Sequence, residues 1–241
     1  MLELNRIHEG DCLQVMREIP DESVHMIVAD MPYGVSFKSN MGEAGFQKEA
    51  IENDGFEEWL KVMPKWIHSM KRVLVPGGTL ALFSGICSGT TGKRVAPLHH
   101  AMREVEGHFG ELADVIVWDR CDMGMGWAYR PVWEAIIMAH KNCKARVDNT
   151  KPTQTNILRH PRIIPKAGEH PTPKPIPLIG DLIRNSTNEG DLILDPFCGG
   201  GNILEAAEIL KRNWLGIEIK MEYVTMSRDR MRVYAEQPRM F

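Results

Sequence analysis

The stretch LILDPFCGGGN, residues Leu192–Asn202, decides the fold that this sequence predicts. Its apolar start is typical of a buried strand, which ends at Asp195, and the glycines are typical of a turn into a helix. Ligands of an open α/β sheet bind at the carboxyl ends of its strands, and glycine lets them approach the backbone closely. The next strand ends at Glu218, and an acid about 20 residues past such a turn can accept from ribose hydroxyls. The stretch therefore predicts a site for a nucleoside cofactor.

The residues of this turn distinguish between nucleoside cofactors. Gly199 and Gly201 form the G-x-G of a dinucleotide site, but Leu204 stands where the third glycine of that pattern belongs. The carboxylate of Asp195 also suits a cation better than a pyrophosphate, and S-adenosylmethionine carries both an ammonium and a sulfonium group. We therefore favour S-adenosylmethionine, and a small-molecule NAD enzyme is the alternative from a different class.

The rest of the chain alternates between strand-like and helix-like segments. Apolar positions in Phe56–Val73 recur at helical spacing, and Val24–Ala29 is typical of a buried strand. Such alternation favours an α/β fold with a mostly parallel sheet and helices on both faces. The predicted strands cover residues 4–8, 24–29, 79–83, 112–118, 133–140, 192–194 and 214–217, and the predicted helices cover 12–19, 56–73, 95–106, 175–184, 202–211 and 221–234.

The composition is that of a globular protein. With 241 residues, 43% hydrophobic and 25% charged, the chain fits one α/β domain over residues 1–241 and excludes a disordered or fibrous protein. No apolar run is long enough to span a membrane, and the N-terminus lacks the apolar core of a signal peptide. The five cysteines form no C-x-x-C pair, so we expect reduced thiols in a cytoplasmic protein, without a disulfide framework or a metal site.

A basic stretch interrupts an otherwise acidic chain. Between residues 141 and 174 there are eight Lys and Arg residues against two acids, a net charge of +6 within a chain of net charge −3. A long loop in a compact domain is uncommon unless it is functional, and a basic one is the electrostatic footprint of a phosphate backbone. A plain solvated loop is the alternative. The candidate phosphate contacts here are Lys144, Arg146, Lys151, Arg159 and Arg162.

A second constellation, Asp30-Met31-Pro32-Tyr33, follows the predicted strand 24–29 and so also lies at a carboxyl end. It resembles the signature of the amino-group DNA methyltransferases, an acid or amide followed by two prolines and an aromatic residue. An exocyclic amino nitrogen is a poor nucleophile because its lone pair is delocalised into the ring, and two hydrogen-bond acceptors push it toward tetrahedral geometry. The resemblance implies that Asp30 and the Met31 carbonyl are these acceptors. It also implies that Tyr33 stacks on a base flipped out of the duplex.

Met31 departs from the family, which usually has proline at this position. Only the main-chain oxygen is needed in this mechanism, and Pro32 still restricts Met31 to an extended conformation. The departure leaves open a protein that keeps the cofactor fold and binds DNA without the chemistry. Asp30→Ala distinguishes the two, because an enzyme would lose turnover whereas a binding module would keep its affinity for DNA.

The order of further motifs resembles the beta class of this family and implies a circular permutation of the Rossmann-like, seven-stranded class I methyltransferase sheet. Protein-glutamine methyltransferases place the cofactor turn first, whereas here it comes last. Cytosine-C5 enzymes need a nucleophilic cysteine, commonly after proline, and this chain has no Pro-Cys pair. The motifs are, in order, Gly10-Asp11-Cys12, the Asp30 constellation, Trp118, Tyr129-Arg130, Glu134, His170-Pro-Thr-Pro-Lys174-Pro175 and the glycine turn.

The resemblance also implies which residues bind the cofactor. Asp11 would approach the adenine amino group of S-adenosylmethionine, and Thr172 and Lys174 would flank its methionine end. The full set that we expect to bind the cofactor is Asp11, Cys12, Asp30, His170, Thr172, Lys174, Asp195, Phe197, Cys198, Gly199, Gly201, Asn202, Glu218 and Ile219.

The resemblance implies a site-specific methyltransferase that acts on the N6 atom of a flipped adenine in DNA, without a covalent enzyme intermediate. Cytosine N4 is the close alternative, although that subgroup more often has serine where Asp30 stands. The expected partner is double-stranded DNA, contacted by Lys93, Arg94, Arg130 and the basic stretch, with 141–169 as the target-recognition region. A homodimer, a restriction–modification role and the cytoplasm of a bacterium or of a phage-infected bacterium are further expectations.

Overall fold

A computed structural model gives the fold and describes residues 2–32, 55–86, 96–123, 129–151, 153–165 and 170–235. Within these ranges every predicted strand and helix is present, with ends that shift by a few residues. No helix in the described ranges is both long enough and apolar enough to cross a membrane. The helices are α1 (Cys12–Met16), α2 (Phe56–Val73), α3 (Pro97–Phe109), α4 (Ile176–Ser186), α5 (Asn202–Ile209) and α6 (Met221–Ala235). The strands are β1 (Arg6–Glu9), β2 (Val24–Ala29), β3 (Leu74–Ser84), β4 (Asp114–Asp119), β5 (Trp133–His140), β6 (Ile157–Arg159), β7 (Leu192–Asp195) and β8 (Asn213–Glu218).

These strands form one sheet in the order β1-β8-β7-β2-β3-β5-β4-β6. Strand β5 runs against its neighbours β3 and β4, whereas every other neighbouring pair of described strands is parallel. Seven strands therefore end at the same side of the sheet, which we call the carboxyl edge; the opposite side is the amino edge. The expected α/β fold with a mostly parallel sheet is confirmed, and the three-residue strand β6 adds to the seven strands that were predicted.

Apolar side chains project from both faces of the sheet, because successive residues of a strand point to opposite sides. In β2, Ile27 and Ala29 join the core cluster that contains residues of α1, α2 and α3. Met26 and Val28 join the cluster that contains residues of α4, α5 and α6. The helices thus cover both faces of the sheet, as expected.

Part of the basic stretch is built into the fold, so residues 141–169 do not form one continuous loop. Lys141 is buried, and its Nζ donates to the carbonyl of Leu74 at 2.8 Å, where α2 gives way to β3. Arg146 forms an ion pair with Asp191, and its backbone N–H donates to the carbonyl of Gly77 at 2.8 Å. These contacts lie at the amino edge. Further along the basic stretch, strand β6 pairs with β4 and extends the sheet.

Candidate functional site

A cavity of about 560 Å³ runs along the carboxyl edge. This volume lies within the range of roughly 300–1,000 Å³ that is usual for small-molecule sites. The glycine turn and residues 30–32 line the same cavity, so the two constellations found in the sequence meet in space. Every residue expected to bind the cofactor lines this cavity except Gly201.

Two residues with positive φ shape the glycine turn. Gly199 has a φ of +46° and Gly201 a φ of +81°, conformations that residues with side chains rarely adopt. A Cβ at Gly199 would lie 2.8 Å from His170 Nε2, and a Cβ at Gly201 would lie 3.0 Å from the Cβ of Ser227. The N–H of Gly199 also donates to Glu218 Oε2 at 2.9 Å. The turn is therefore tied to β8 and packed too closely for larger residues.

Two buried acids line the cavity beside this turn. Asp195 Oδ1 accepts from the N–H of Phe197 at 3.1 Å, whereas Oδ2 has no hydrogen-bond partner among the described residues. Burial raises the pKa of Asp195 well above its ordinary value, and the nearby carboxylates of Asp30 and Glu218 add to the shift. Burial also raises the pKa of Glu218, although backbone N–H groups oppose that shift. Buried carboxylates favour a positively charged ligand, because a nearby cation compensates the cost of burying their charge.

Replacing Asp195 with asparagine is expected to stabilise the unliganded protein. Because the pKa of Asp195 is raised in the folded state, its ionisation costs folding free energy; this cost grows as the pH rises from the ordinary pKa of an aspartate and is complete above the folded-state pKa. Asparagine does not ionise but still accepts from the N–H of Phe197. We therefore expect a higher thermal midpoint for Asp195→Asn, by about 2–4 °C for each kcal/mol regained. Calorimetry over a pH series measures this, and a gap that narrows with rising pH would contradict the account.

His170 packs against the glycine turn. Its ring packs against Gly199 and its Cβ against Gly200, and the ring meets Tyr223 edge-to-face, with 4.8 Å between the ring centroids. Burial lowers the pKa of His170 to about 4, and the nearby cations of Lys174 and Arg230 also favour the neutral imidazole. The imidazole is therefore uncharged at neutral pH and packs as a neutral ring.

Asp11 has a structural role that the sequence analysis did not identify. It is the N-cap of α1, and its Oδ1 accepts from the N–H groups of Leu13 at 2.9 Å and Gln14 at 3.1 Å. It also lines the cavity, so its expected contact with the cofactor adenine stays a prediction. Burial raises the pKa of the adjacent Cys12 thiol to about 12 and that of Cys198 well above its ordinary value. Neither cysteine is a thiolate at neutral pH.

A cluster of charged side chains joins the ends of three elements at the cavity. Lys174, which precedes α4, donates from Nζ to Asp30 Oδ2 at 2.6 Å and lies 3.6 Å from Glu134 Oε2. The same Nζ lies 5.3 Å from the ring centre of Phe83 and 6.0 Å from that of Trp118. Burial disfavours the charge on Lys174, but the two carboxylates outweigh it, and the pKa of Lys174 lies above its ordinary value.

The remaining residues of the Asp30 constellation are partly described. The Met31 side chain is 1% exposed and belongs to the apolar core, although the residue lines the cavity. The use of the Met31 main-chain oxygen as an acceptor stays a prediction. Pro32 lines the cavity as well. Tyr33 lies outside the described residues, so its stacking on a base stays a prediction.

Arg120 and Trp66 are among the cavity residues that were not singled out from the sequence. Arg120 follows the end of β4 and donates to Glu134 Oε1 at 3.3 Å and to the carbonyl of Pro131 at 2.7 Å. Its position directly after a strand is the signal that could have identified it. Trp66 lies on the buried face of α2 and meets Phe197 edge-to-face, with 5.0 Å between the centroids. A helical tryptophan with apolar neighbours gives no sequence sign of a cavity.

Three of the expected DNA contacts lie at the carboxyl edge. Arg162 lines the cavity and forms an ion pair with Asp122. Arg159 ends β6 and lies 3.2 Å from Asp119 at the end of β4. Arg130 is exposed and directly precedes Pro131, which lines the cavity. These three arginines form the carboxyl-edge arginine group.

The other basic candidates are placed differently. Arg146 lies at the amino edge, and the carbonyl of Lys144 comes close to Gly77 there. Lys151 is exposed and does not line the cavity. Lys93 and Arg94 lie outside the described residues. The structure therefore does not bring all the expected DNA contacts together.

Comparison with known proteins gives a match over most of the chain. A family model described as DNA methylase, for the N6/N4 methyltransferases, matches residues 24–229. The Type II methyltransferase M2.MboI of Moraxella bovis is 30% identical to the chain over 93% of it and 86% of the relative. The Type II methyltransferase M2.DpnII of Streptococcus pneumoniae is 27% identical over 92% of the chain and 87% of the relative.

Solved structures share the fold. TTHA0409 from Thermus thermophilus, complexed with S-adenosyl-L-methionine, has a TM-score of 0.71 at 24% identity, and the match covers 96% of this chain and 94% of that one. The PvuII DNA methyltransferase, which is cytosine-N4-specific, has a TM-score of 0.73 at 18% identity, with coverage of 98% and 87%. At such identities the likeness concerns the fold alone, and it confirms the expected class I methyltransferase fold.

Proposed function

The chain belongs to the N6/N4 DNA methylase family, and from that premise we propose that it transfers a methyl group from S-adenosylmethionine to the N6 atom of adenine in DNA. The observation that carries this proposal is the meeting of Asp30 and the glycine turn in one cavity at the carboxyl edge. A methyl acceptor held at Asp30 and a methyl donor held at the turn would lie side by side.

The residues present fit S-adenosylmethionine, which when bound supplies an electrophilic methyl group on a positively charged sulfur. Asp195 and Glu218 line the cavity with buried carboxylates, which favour the positive charges of this molecule. Asp195 Oδ2 is also without a hydrogen-bond partner in the described part of the chain. Gly199 lines the cavity and packs closely against His170, so that a residue with a side chain would not fit at this position of the turn.

The chain itself acts on the amino group. Asp30 accepts one amino hydrogen and the main-chain oxygen of Met31 accepts the other, which returns the nitrogen lone pair to the direction of attack. As the nitrogen–carbon bond forms, the bond from the methyl carbon to the donor sulfur would break, and the sulfur would leave as a neutral thioether. The amino group would become cationic, and Asp30 is placed to take the proton that it then loses. No residue of the chain forms a covalent bond in this reaction. Positioning and electrostatic stabilisation carry the rate.

The aspartate at position 30 supports adenine over cytosine as the target. The resemblance associates cytosine-N4 enzymes more often with serine at this position. Here Asp30 binds the buried ammonium of Lys174 at 2.6 Å, an ion pair that a serine could not form. A charged acceptor held in this way suits an exocyclic amino group, the preference for adenine comes from the resemblance, and cytosine N4 remains the second outcome to be tested.

The carboxyl-edge arginine group supports duplex DNA as the substrate. Arg162 lines the cavity, and Arg130 and Arg159 lie at the same carboxyl edge, where a flipped base would have to approach Asp30. Arginines that neutralise phosphates supply sequence-independent affinity. We therefore assign the DNA face, and the part of 141–169 that forms target recognition, to β6 and the residues that follow it rather than to Arg146 at the amino edge.

The target base can be identified by nucleoside mass spectrometry. Unmethylated genomic DNA is incubated with the protein and isotopically labelled S-adenosylmethionine, digested and analysed. The proposal expects labelled N6-methyladenine. Labelled N4-methylcytosine would overturn the assignment of the base, and no labelled nucleoside from a protein that binds S-adenosylmethionine in calorimetry would favour a DNA-binding module. Binding of NAD in its place would favour the small-molecule enzyme.

A further inference from the structure

The surroundings of Lys174 differ from those of a residue that binds the cofactor, the role that the family resemblance implies for it. Its ammonium donates to Asp30 at 2.6 Å and lies 3.6 Å from Glu134, and its side chain is 6% exposed. We infer that Lys174 is a positioning residue that holds the Asp30 carboxylate toward the substrate amino group, and that Glu134 holds Lys174 in turn. The inference rests on the proposed function and deepens it.

Contacts on several sides fix Lys174 in this position. The rings of Phe83 and Trp118 lie 5.3 Å and 6.0 Å from its ammonium, distances at which aromatic faces attract a cation. Its carbonyl accepts from Asn202 Nδ2 at 3.2 Å, which ties it to the first residue of α5. To bind a ligand elsewhere in the cavity, the ammonium would have to leave the carboxylate of Asp30 and both rings. The contacts therefore favour a fixed position beside Asp30.

Glu134 is itself held in place, so the arrangement extends beyond one ion pair. Its Oε1 accepts from Arg120 at 3.3 Å, and Arg120 is anchored in turn to the carbonyl of Pro131 at 2.7 Å. Two carboxylates and two cations thus alternate from Asp30 through Lys174 and Glu134 to Arg120. Such a balanced cluster compensates the cost of burying each charge.

The ammonium of Lys174 places a compensating positive charge 2.6 Å from the Asp30 carboxylate. A carboxylate in a cavity that loses its cationic neighbour is protonated more readily, and a protonated carboxyl cannot take the proton that methylation releases. His170 also faces Asp30 but is uncharged near neutral pH, since burial lowers its pKa to about 4. Asp195 faces Asp30 as a second carboxylate. Because the pKa of Lys174 is raised, Lys174 itself stays charged over the pH range of the rate profile.

The pH–rate profile of Lys174→Met, at saturating S-adenosylmethionine, tests the inference. We expect the turnover number to fall by about 10²-fold, a usual contribution of a positioned acid–base pair, and the acid limb of the profile to move to higher pH. Lys174→Arg keeps the charge and should return the limb to its wild-type position with part of the turnover. Glu134→Gln removes the second carboxylate beside the Lys174 ammonium. This variant should move the acid limb of the profile to lower pH, the direction opposite to that of Lys174→Met.

The matched control is Lys65→Met, which removes an exposed lysine on α2 and should leave turnover and profile unchanged. The inference is overturned if Lys174→Met weakens binding of S-adenosylmethionine while the turnover number at saturation and the pH profile stay at wild type. Should Lys174→Met fail to fold in thermal melting, Glu134→Gln decides, and a wild-type turnover and profile for that variant would overturn the inference. Inactive wild-type protein would overturn the proposed function and this inference together.

Discussion

Asp30→Ala is expected to lower the turnover number of methyl transfer by about 10²–10⁴-fold, the range that a positioned proton acceptor contributes. The substitution removes the carboxylate that accepts an amino hydrogen, and the Met31 carbonyl alone cannot set the geometry of the nitrogen. Lys174 keeps Glu134 as a partner at 3.6 Å, so the cavity retains its second carboxylate. We expect the affinities for S-adenosylmethionine and for DNA to change far less than turnover. Steady-state assays and calorimetry on the same preparation measure both.

Two further variants control this result. Asp229→Ala removes an exposed aspartate from α6, where it pairs with Arg232, and should behave as wild type because exposed pairs contribute little. Asp30→Asn keeps an acceptor oxygen and should fall between wild type and alanine. Turnover of Asp30→Ala within a few-fold of wild type would remove Asp30 from the mechanism.

Gly199→Val is expected to abolish useful binding of S-adenosylmethionine. The φ of +46° is strained for a β-branched residue, and the new Cβ would lie 2.8 Å from His170 Nε2. Strain and overpacking together cost about 3 kcal/mol, which corresponds to roughly 100-fold in affinity if it falls on the bound state. The hydrogen bond from the Gly199 N–H to Glu218 would be disturbed as well. Calorimetric titration with S-adenosylmethionine measures the loss.

Gly190→Val supplies the matched control for the backbone strain. Gly190 has a φ of +82°, but nothing lies within 4 Å of a Cβ built there, and it sits in the turn before β7, at the amino edge. This variant should lose stability and keep its affinity for S-adenosylmethionine. If both variants lose affinity equally, general destabilisation explains the effect and the glycine turn is not the binding element.

Local patterns were sufficient to predict the sheet and the helices. The apolar run of β2 and the helical spacing of α2 each depend on neighbouring residues only, and their predicted bounds, Val24–Ala29 and Phe56–Val73, agree with the structure. The strand β6 was missed because Ile157–Arg159 is short, lies in a basic stretch and is held by its pairing with β4. Such pairing is set by residues far away in the chain.

The site was predictable where chemistry follows a strand end directly. Asp30 and Asp195 each close a buried strand, and both line the cavity. The contacts of Lys174 with Glu134, and of Arg146 with Asp191, depend on how distant elements pack, and no spacing in the sequence encodes them. Asp11 could not be assigned one role from the sequence, because an aspartate suits both a helix N-cap and a ligand contact.

The central claim is that one cavity brings a bound methyl donor to an amino group of DNA, and a single-turnover experiment tests it most directly. Protein loaded with methyl-labelled S-adenosylmethionine is mixed with unmethylated duplex DNA, and the label in the DNA bases is followed over time. We expect the label to move from the preformed complex to the bases in one exponential phase. Label that stays on S-adenosylmethionine while protein, donor and DNA remain bound together would contradict it.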